Sequence, residues 1–213
     1  MKNSQKGFIA PLFIAIIILL LVGVGFYLYE TKKAEAPVVD NGTNVTGDQK
    51  ILATAREVFG ALKARDYQKL ENLVSSDGLT LNYFPALDLA NNLIAKNEVS
   101  LVPTDTTKYF WGYTDGKGDP INLTRVEFIT KYIYTGSVDY SNAPDVAVNK
   151  TLGTGNSMNT IAKDANGRTY VAFHFSGFDP KYDGMDWTTM NLVFDSVNGE
   201  YKLRAITKDN WTI

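Results

Sequence analysis

The sequence predicts an α+β domain behind an N-terminal transmembrane helix, with the helices of the domain packed on an antiparallel sheet. Three observations support this fold class. Residues 8–29 form an apolar run, the next part of the chain has apolar side chains at helical spacing, and the last third alternates as strands do. We therefore divide the chain into a membrane anchor at residues 1–33, a linker at residues 34–50 and a domain at residues 51–213.

The membrane anchor is predicted from its length and its flanking charges. Residues 8–29 carry no charged side chain, and at about 1.5 Å per residue they are long enough to cross the hydrocarbon core of a bilayer. Lys2 and Lys6 precede this run, whereas the charges after it cancel, so the N-terminal side is predicted to be cytoplasmic. We expect the lipid bilayer to contact residues 8–29 and the domain to be extracytoplasmic at the cell membrane. A cleaved secretory signal peptide is the alternative interpretation.

The segment around Gly7 also resembles the leader of type IV pilin-like proteins. In those proteins a peptidase cuts after the glycine, and the apolar helix then packs into a filament. Such leaders carry a glutamate five residues past the cut, where this chain has Leu12. The signal-anchor therefore resembles a degenerate leader, and a pilin-like filament subunit is one alternative function.

Composition excludes several classes of protein. Residues 34–213 carry 17 basic and 22 acidic side chains, the opposite of the balance that binds nucleic acid, so we expect no nucleic-acid partner. The sequence has no cysteine, which excludes disulfides, thiolate metal sites and a cysteine nucleophile. The linker is rich in polar residues and is expected to be a flexible tether.

The first part of the domain is predicted to contain helices. Apolar residues within residues 51–62 recur at helical spacing after Asp48, which is placed to cap the first helix. Asp66 begins a second, shorter helix. Residues 79–84 alternate like a strand, and Pro85 is expected to open a third short helix.

The middle of the domain contains a strong helix signal. Residues 108–113 are aromatic and strand-like, and a turn-rich segment follows them. Thr124 and Glu127 then match a capping box, which predicts a helix that runs to about Tyr134.

The last third is predicted to be antiparallel. Residues 168–175, 190–197 and 200–208 alternate between apolar and polar side chains. Asn198-Gly199, between the last two runs, is the dipeptide that most favours a tight hairpin.

Two resemblances accompany this pattern. Residues 66–73 have the pattern Asp66-Tyr67-x-x-Leu70-x-x-Leu73, and a sheet that ends in a hairpin is predicted after them. This order of elements resembles the cone-shaped NTF2-like architecture, in which the sheet is curved. Residues 105–213 also resemble an uncharacterised extracytoplasmic domain of bacterial surface proteins and lipoproteins. The similar segments include Trp111-Gly112-Tyr113, Gly153-x-Gly155-Asn156, Phe178-Asp179-Pro180 and Asp209-x-Trp211. This resemblance implies a location and a fold, and it carries over no catalytic residue.

The candidate ligand-binding residues are aromatic side chains and the single histidine. Tyrosine outnumbers phenylalanine in the domain, which is typical of aromatic surfaces that contact both a ligand and water. The strand pattern places His174 on the less apolar face of its strand, as a hydrogen-bonded structural residue or as a general base. The predicted ligand-binding residues are Trp111, Tyr113, His174 and Trp187.

Residues 178–187 are the candidate metal site. Asp179, Asp183 and Asp186 lie in this loop, and closely spaced carboxylates bind calcium outside the cell, so calcium is the one cofactor considered. Alternatively, the aspartates cap backbone amides of a turn. We expect the loop to be ordered, with Trp187 buried and with Asp183 and Asp186 facing one solvent-exposed spot.

The leading hypothesis is a non-enzymatic, membrane-anchored extracytoplasmic module that binds an envelope polymer or another surface protein. One alternative is an envelope hydrolase that uses Asp183, Asp186 or Glu127, with His174 as a further base. Hydrolysis requires at least two of these groups in a closed pocket, with a raised carboxyl pKa.

Overall fold

The computed structural model describes residues 47–153 and 158–211, which belong to one compact unit. The predicted anchor, the pilin-like leader and most of the linker lie outside these residues. No helix in the described ranges is long and apolar enough to cross a membrane. The predicted fold class is therefore corrected here: the described chain has four helices, and all of them belong to the α+β domain.

The elements of the domain follow in chain order. The helices are α1 (Gly47–Ala64), α2 (Tyr67–Leu73), α3 (Arg125–Phe128) and α4 (Ile161–Asp164). The strands are β1 (Leu79–Asn82), β2 (Leu93–Ile94), β3 (Tyr109–Tyr113), β4 (Pro120–Leu123), β5 (Asp145–Val148), β6 (Thr169–Phe175), β7 (Thr188–Val197) and β8 (Glu200–Asn210). Six strands form one sheet in the order β2-β1-β8-β7-β6-β5, and β3 pairs with β4 in a separate two-stranded sheet.

The six-stranded sheet is mixed, which corrects the predicted antiparallel sheet. Strand β1 pairs with β8 in parallel, with Thr80 opposite Ala205 and Leu81 opposite Ile206, whereas the other pairs are antiparallel. The sequence of β1 alternates between apolar and polar residues as an antiparallel strand does, but all four of its residues are buried because both faces of the sheet are covered.

Arg204 on β8 reinforces the parallel pairing. Its guanidinium donates hydrogen bonds to the Gly78 carbonyl at 3.4 Å, to Thr80 Oγ1 at 3.0 Å and to the Leu89 carbonyl at 3.2 Å. The side chain is buried, so removing Arg204 would take a hydrogen-bond donor away from each of these acceptors.

The predicted helices α1 and α2 are confirmed, but Asp48 lies within the first turn of α1, which begins at Gly47, so its predicted position as the cap is wrong. Helix α1 buries one apolar stripe, which includes Ile51, Val58 and Phe59. Asp66 caps α2, because its side chain accepts a hydrogen bond from the Lys69 amide at 2.9 Å.

The capping box at α3 is also confirmed. Thr124 Oγ1 accepts from the Glu127 amide at 3.3 Å, and Glu127 Oε2 accepts from the Thr124 amide at 2.8 Å. The helix continues as a wider π turn over Ile129–Ile133. This turn places the Tyr132 ring against Tyr83, the residue after β1, and both tyrosines belong to the site described below.

The helix predicted to open at Pro85 is wrong. Residues 83–92 form bends and turns, and Leu93–Ile94 return as β2 beside β1. Asp88 stabilises this turn by accepting hydrogen bonds from the amides of Ala90 and Asn91. An aspartate that offers such bonds competes with helix formation.

Both faces of the sheet are covered. The main core lies between the sheet and helices α1, α2 and α3. A smaller core on the other face is built by α4 and the turn after β1. Its members are Leu87, Ile161, Ala165, Tyr170, Val193 and Ala205.

Candidate functional site

An open cleft lies where β7 begins and β8 ends, and we call it the aromatic cleft. Its volume is about 460 Å³, within the range of sites for small organic ligands. Its aromatic residues are Tyr83, Tyr132, Tyr140, Phe178, Trp187 and Trp211. The other lining residues are Lys131, Thr135, Val138, Met185, Asp186, Thr188, Lys208 and Asn210.

The tyrosines of the aromatic cleft are held by their neighbours. The rings of Tyr83 and Tyr132 meet edge to face, with centroids 4.6 Å apart, and Tyr132 also packs on Phe128. Tyr140 is buried, and its hydroxyl lies 2.8 Å from Thr188 Oγ1. Burial raises the pKa of Tyr140 to about 12, so this hydroxyl stays neutral at physiological pH.

The loop at residues 178–187 forms one wall of the aromatic cleft. Asp186 Oδ2 accepts hydrogen bonds from the amides of Phe178, at 3.0 Å, and Asp179, at 2.8 Å. These bonds join the two ends of the loop. Trp187 is 5% exposed, so the prediction that this ring is buried is confirmed.

The rim of the aromatic cleft is apolar. Phe178, Met185 and Trp211 line it, and all three are exposed to solvent. Exposed apolar side chains that cluster around a concave site are typical of a binding surface.

Two polar atoms of residues that line the aromatic cleft have no hydrogen-bond partner among the described residues. They are Asp186 Oδ1 and Trp187 Nε1, both buried and both unpaired in the part of the chain that the structure describes. Unpaired buried polar atoms cost stability and are rare in folded proteins, so each one calls for an explanation.

Two lysines contribute charge to the aromatic cleft. Lys131 is exposed, and its ammonium lies 5.2 Å from the centroid of the Tyr132 ring. Lys208 is half-buried on β8, and burial lowers the pKa of its ammonium below the usual value of 10.5. Asp186 is the one carboxylate among the described lining residues, and it is bonded to the loop amides.

The structure brings two of the four predicted ligand-binding residues together, because the ring centroids of His174 and Trp187 lie 5.7 Å apart, whereas Trp111 and Tyr113 lie elsewhere. Trp187 lines the aromatic cleft, but Trp111 is a core residue that stacks on Phe128 and donates from Nε1 to the Leu123 carbonyl at 2.9 Å. Tyr113 is exposed on the β3–β4 hairpin.

His174 occupies the face of β6 opposite to the buried Phe173. Its Nδ1 lies 2.7 Å from Thr189 Oγ1, and burial lowers the pKa of the imidazole. This arrangement agrees with the interpretation of His174 as a hydrogen-bonded structural residue.

The three aspartates predicted to hold calcium have separate roles. Asp179 Oδ1 accepts from the Lys181 amide, and Lys181 also pairs with its Oδ2 at 2.9 Å and lowers the pKa of this carboxyl. Asp183 is exposed in a left-handed conformation, and Asp186 binds the loop amides. Within the described ranges no group of three or more His, Asp or Glu side chains could hold a metal ion. Calcium binding therefore stays a prediction.

The carboxylates considered for hydrolysis are also dispersed. Glu127 is exposed in its capping box, and the hydrogen bond from the Thr124 amide lowers the pKa of its carboxyl, whereas a general acid needs a raised value. Of Asp183, Asp186, Glu127 and His174, Asp186 alone lines the aromatic cleft.

Sequence reasoning missed Lys208, Tyr83, Tyr132 and Tyr140. One signal was available for Lys208, because it follows Ile206 by two residues and so falls in the buried phase of its strand. The tyrosines come from segments far apart in the chain, and their spacing carries no signal.

No protein-family model matches this chain, and no curated protein sequence matches it.

Proposed function

We propose that this protein is a membrane-tethered extracytoplasmic binding module whose aromatic cleft takes a ring-bearing component of the cell envelope. One observation carries the proposal: six aromatic residues and an exposed apolar rim surround one cleft. Flat rings and sugar faces pack well against such walls, and tyrosine hydroxyls add hydrogen bonds at the wet edge. The uncharged run at residues 8–29 supports the tether.

Hydrolysis is not part of the proposal, because the aromatic cleft contains a single carboxylate among its described lining residues. A pilin-like role concerns residues outside the described ranges, and the binding role of the domain does not depend on it.

Binding can be tested with a neutral ring compound, indole-3-acetamide. We expect saturation transfer from the full chain in maltoside micelles to this probe, above the level of empty micelles. Tyr132→Ala should weaken binding about fivefold to thirtyfold, because it removes one aromatic wall worth about 1–2 kcal/mol. Tyr113→Ala is the matched control, since Tyr113 is an exposed tyrosine that does not line the aromatic cleft. Equal losses in both variants, or no saturation transfer, would contradict the proposal.

Attachment to a bilayer can be tested by liposome flotation. The full chain is expected to float with the vesicles, and a variant that lacks residues 1–33 is expected to stay at the bottom of the gradient. A variant that lacks residues 34–46 controls for the deletion itself and should still float. Flotation of the variant without residues 1–33 would show that the domain binds lipid by another route.

A further inference from the structure

Lys208 differs from the other buried or half-buried cations of the domain. Arg125 pairs with Glu98 at 2.6 Å and with Asp105 at 3.4 Å, and Arg168 pairs with Asp195 at 2.6 Å. The Lys208 side chain has neither a hydrogen bond nor an ion pair within the part of the chain that the structure describes. A cation that loses water without gaining a partner destabilises the fold.

The strand geometry places Lys208 beside the main core, where it lines the aromatic cleft. It follows Ile206 on the same face of β8 and lies opposite Met190 of β7, and both of these residues are fully buried in the main core. Lys208 therefore lies at the edge of an apolar core and also lines the aromatic cleft. Burial lowers the pKa of the Lys208 ammonium, as expected for a cation beside an apolar core.

The described walls of the aromatic cleft offer little negative charge to Lys208. Asp186 is the one carboxylate on the described walls, its Oδ2 already accepts from two amides, and its Oδ1 is buried. Residues 34–213 carry more acidic than basic side chains, yet the aromatic cleft contains two lysines.

We infer that the ligand of the aromatic cleft is a ring-bearing organic carboxylate, whose anionic group binds Lys208 while its ring packs against Tyr83 and Tyr132. This inference rests on the proposed binding function and specifies the charge of the ligand. A carboxylate would supply the charge and the hydrogen-bond acceptor that Lys208 lacks, and charge-assisted hydrogen bonds are the strong ones.

The test compares two probes that differ in charge, indole-3-acetate and indole-3-acetamide. Their dissociation constants are measured at pH 7 by ligand-observed saturation transfer with the full chain in maltoside micelles. The unmodified chain should bind the carboxylate roughly tenfold more tightly than the amide, as expected for one hydrogen bond to a charged group. Lys208→Met should abolish this preference, because it removes the charge that pairs with the carboxylate and not with the amide. Lys208→Arg should retain the preference.

Lys131→Met is the matched control, because Lys131 lines the same cleft but is exposed to solvent. It should reduce the preference by less than about threefold, because solvent screens an exposed charge. Lys208→Met should melt at or above the temperature of the unmodified chain at pH 7, since it removes a desolvated charge, and this separates loss of binding from loss of folding.

The possible results of this test separate the inference from the proposed function. Equal binding of the two probes, or a preference that survives Lys208→Met, overturns the inference while the aromatic cleft remains a binding site. Failure of both probes to bind overturns the proposed function, and the inference falls with it.

Discussion

Replacing Phe59 by alanine is expected to lower the free energy of unfolding of residues 45–213 by about 3–5 kcal/mol. Phe59 is 1% exposed, and its ring meets Phe173 edge to face with centroids 4.8 Å apart. It also stacks on Tyr140, which lines the aromatic cleft. Removing the ring leaves a cavity between α1 and the sheet that the neighbouring strands cannot fill.

Equilibrium unfolding in urea measures this loss. Arg56→Ala is the matched control, because Arg56 lies on the exposed face of the same helix, and a change within about 0.5 kcal/mol is expected there. A loss below about 1 kcal/mol for Phe59→Ala would show that α1 is not packed on the sheet as described. We also expect weaker binding of indole-3-acetamide, since Tyr140 loses its support.

The parts of the fold that depend on neighbouring residues could be predicted from the sequence. A cap such as Asp66, the capping box of Thr124 and Glu127, and the Asn198-Gly199 turn each bond within a few residues. The turn needs two residues with positive φ, and Asn198 and Gly199 have φ of 52° and 79°. Local chemistry of this kind does not depend on the rest of the chain.

The parts that depend on distant contacts were predicted less well. The parallel pairing of β1 with β8 joins positions more than a hundred residues apart, and Arg204 supports it through acceptors near β1. At Pro85 the apolar spacing indicated a helix, but Leu93 and Ile94 satisfy their backbone by pairing with β1 instead. Tertiary pairing overrides local propensity at this point.

The candidate site also combines residues that could be predicted from the sequence with residues that depend on distant contacts. Trp187 could be identified because acidic and aromatic residues concentrate in its loop. Trp111 was misassigned because a buried core tryptophan and a ligand-binding one look alike in a strand pattern. Lys208 was missed although its strand phase is informative, because the register of β8 against β7 is what places it beside the core.

Replacing Trp187 by alanine is the second change for which we expect a large effect. The ring lies where the 178–187 loop joins β7, and it packs so closely on the chain that a Cβ at Gly153 would come within 2.7 Å of it. Truncation should lower the free energy of unfolding by about 3–5 kcal/mol. Binding of indole-3-acetamide should fall as well, because the released loop carries Phe178 and Met185. Tyr182→Ala, an exposed ring in the same loop, should cost less than about 1 kcal/mol.

A double-mutant cycle with Gly153 isolates the contact itself. Gly153 has φ of +89°, so Gly153→Ala is strained in any background, and in the unmodified chain its new methyl group also collides with the Trp187 ring. With Trp187→Ala already present the collision is gone and the backbone strain alone remains. The two losses should therefore sum to more than the loss of the double variant, by about 0.5–3 kcal/mol. Additive losses would show that Trp187 does not pack on Gly153.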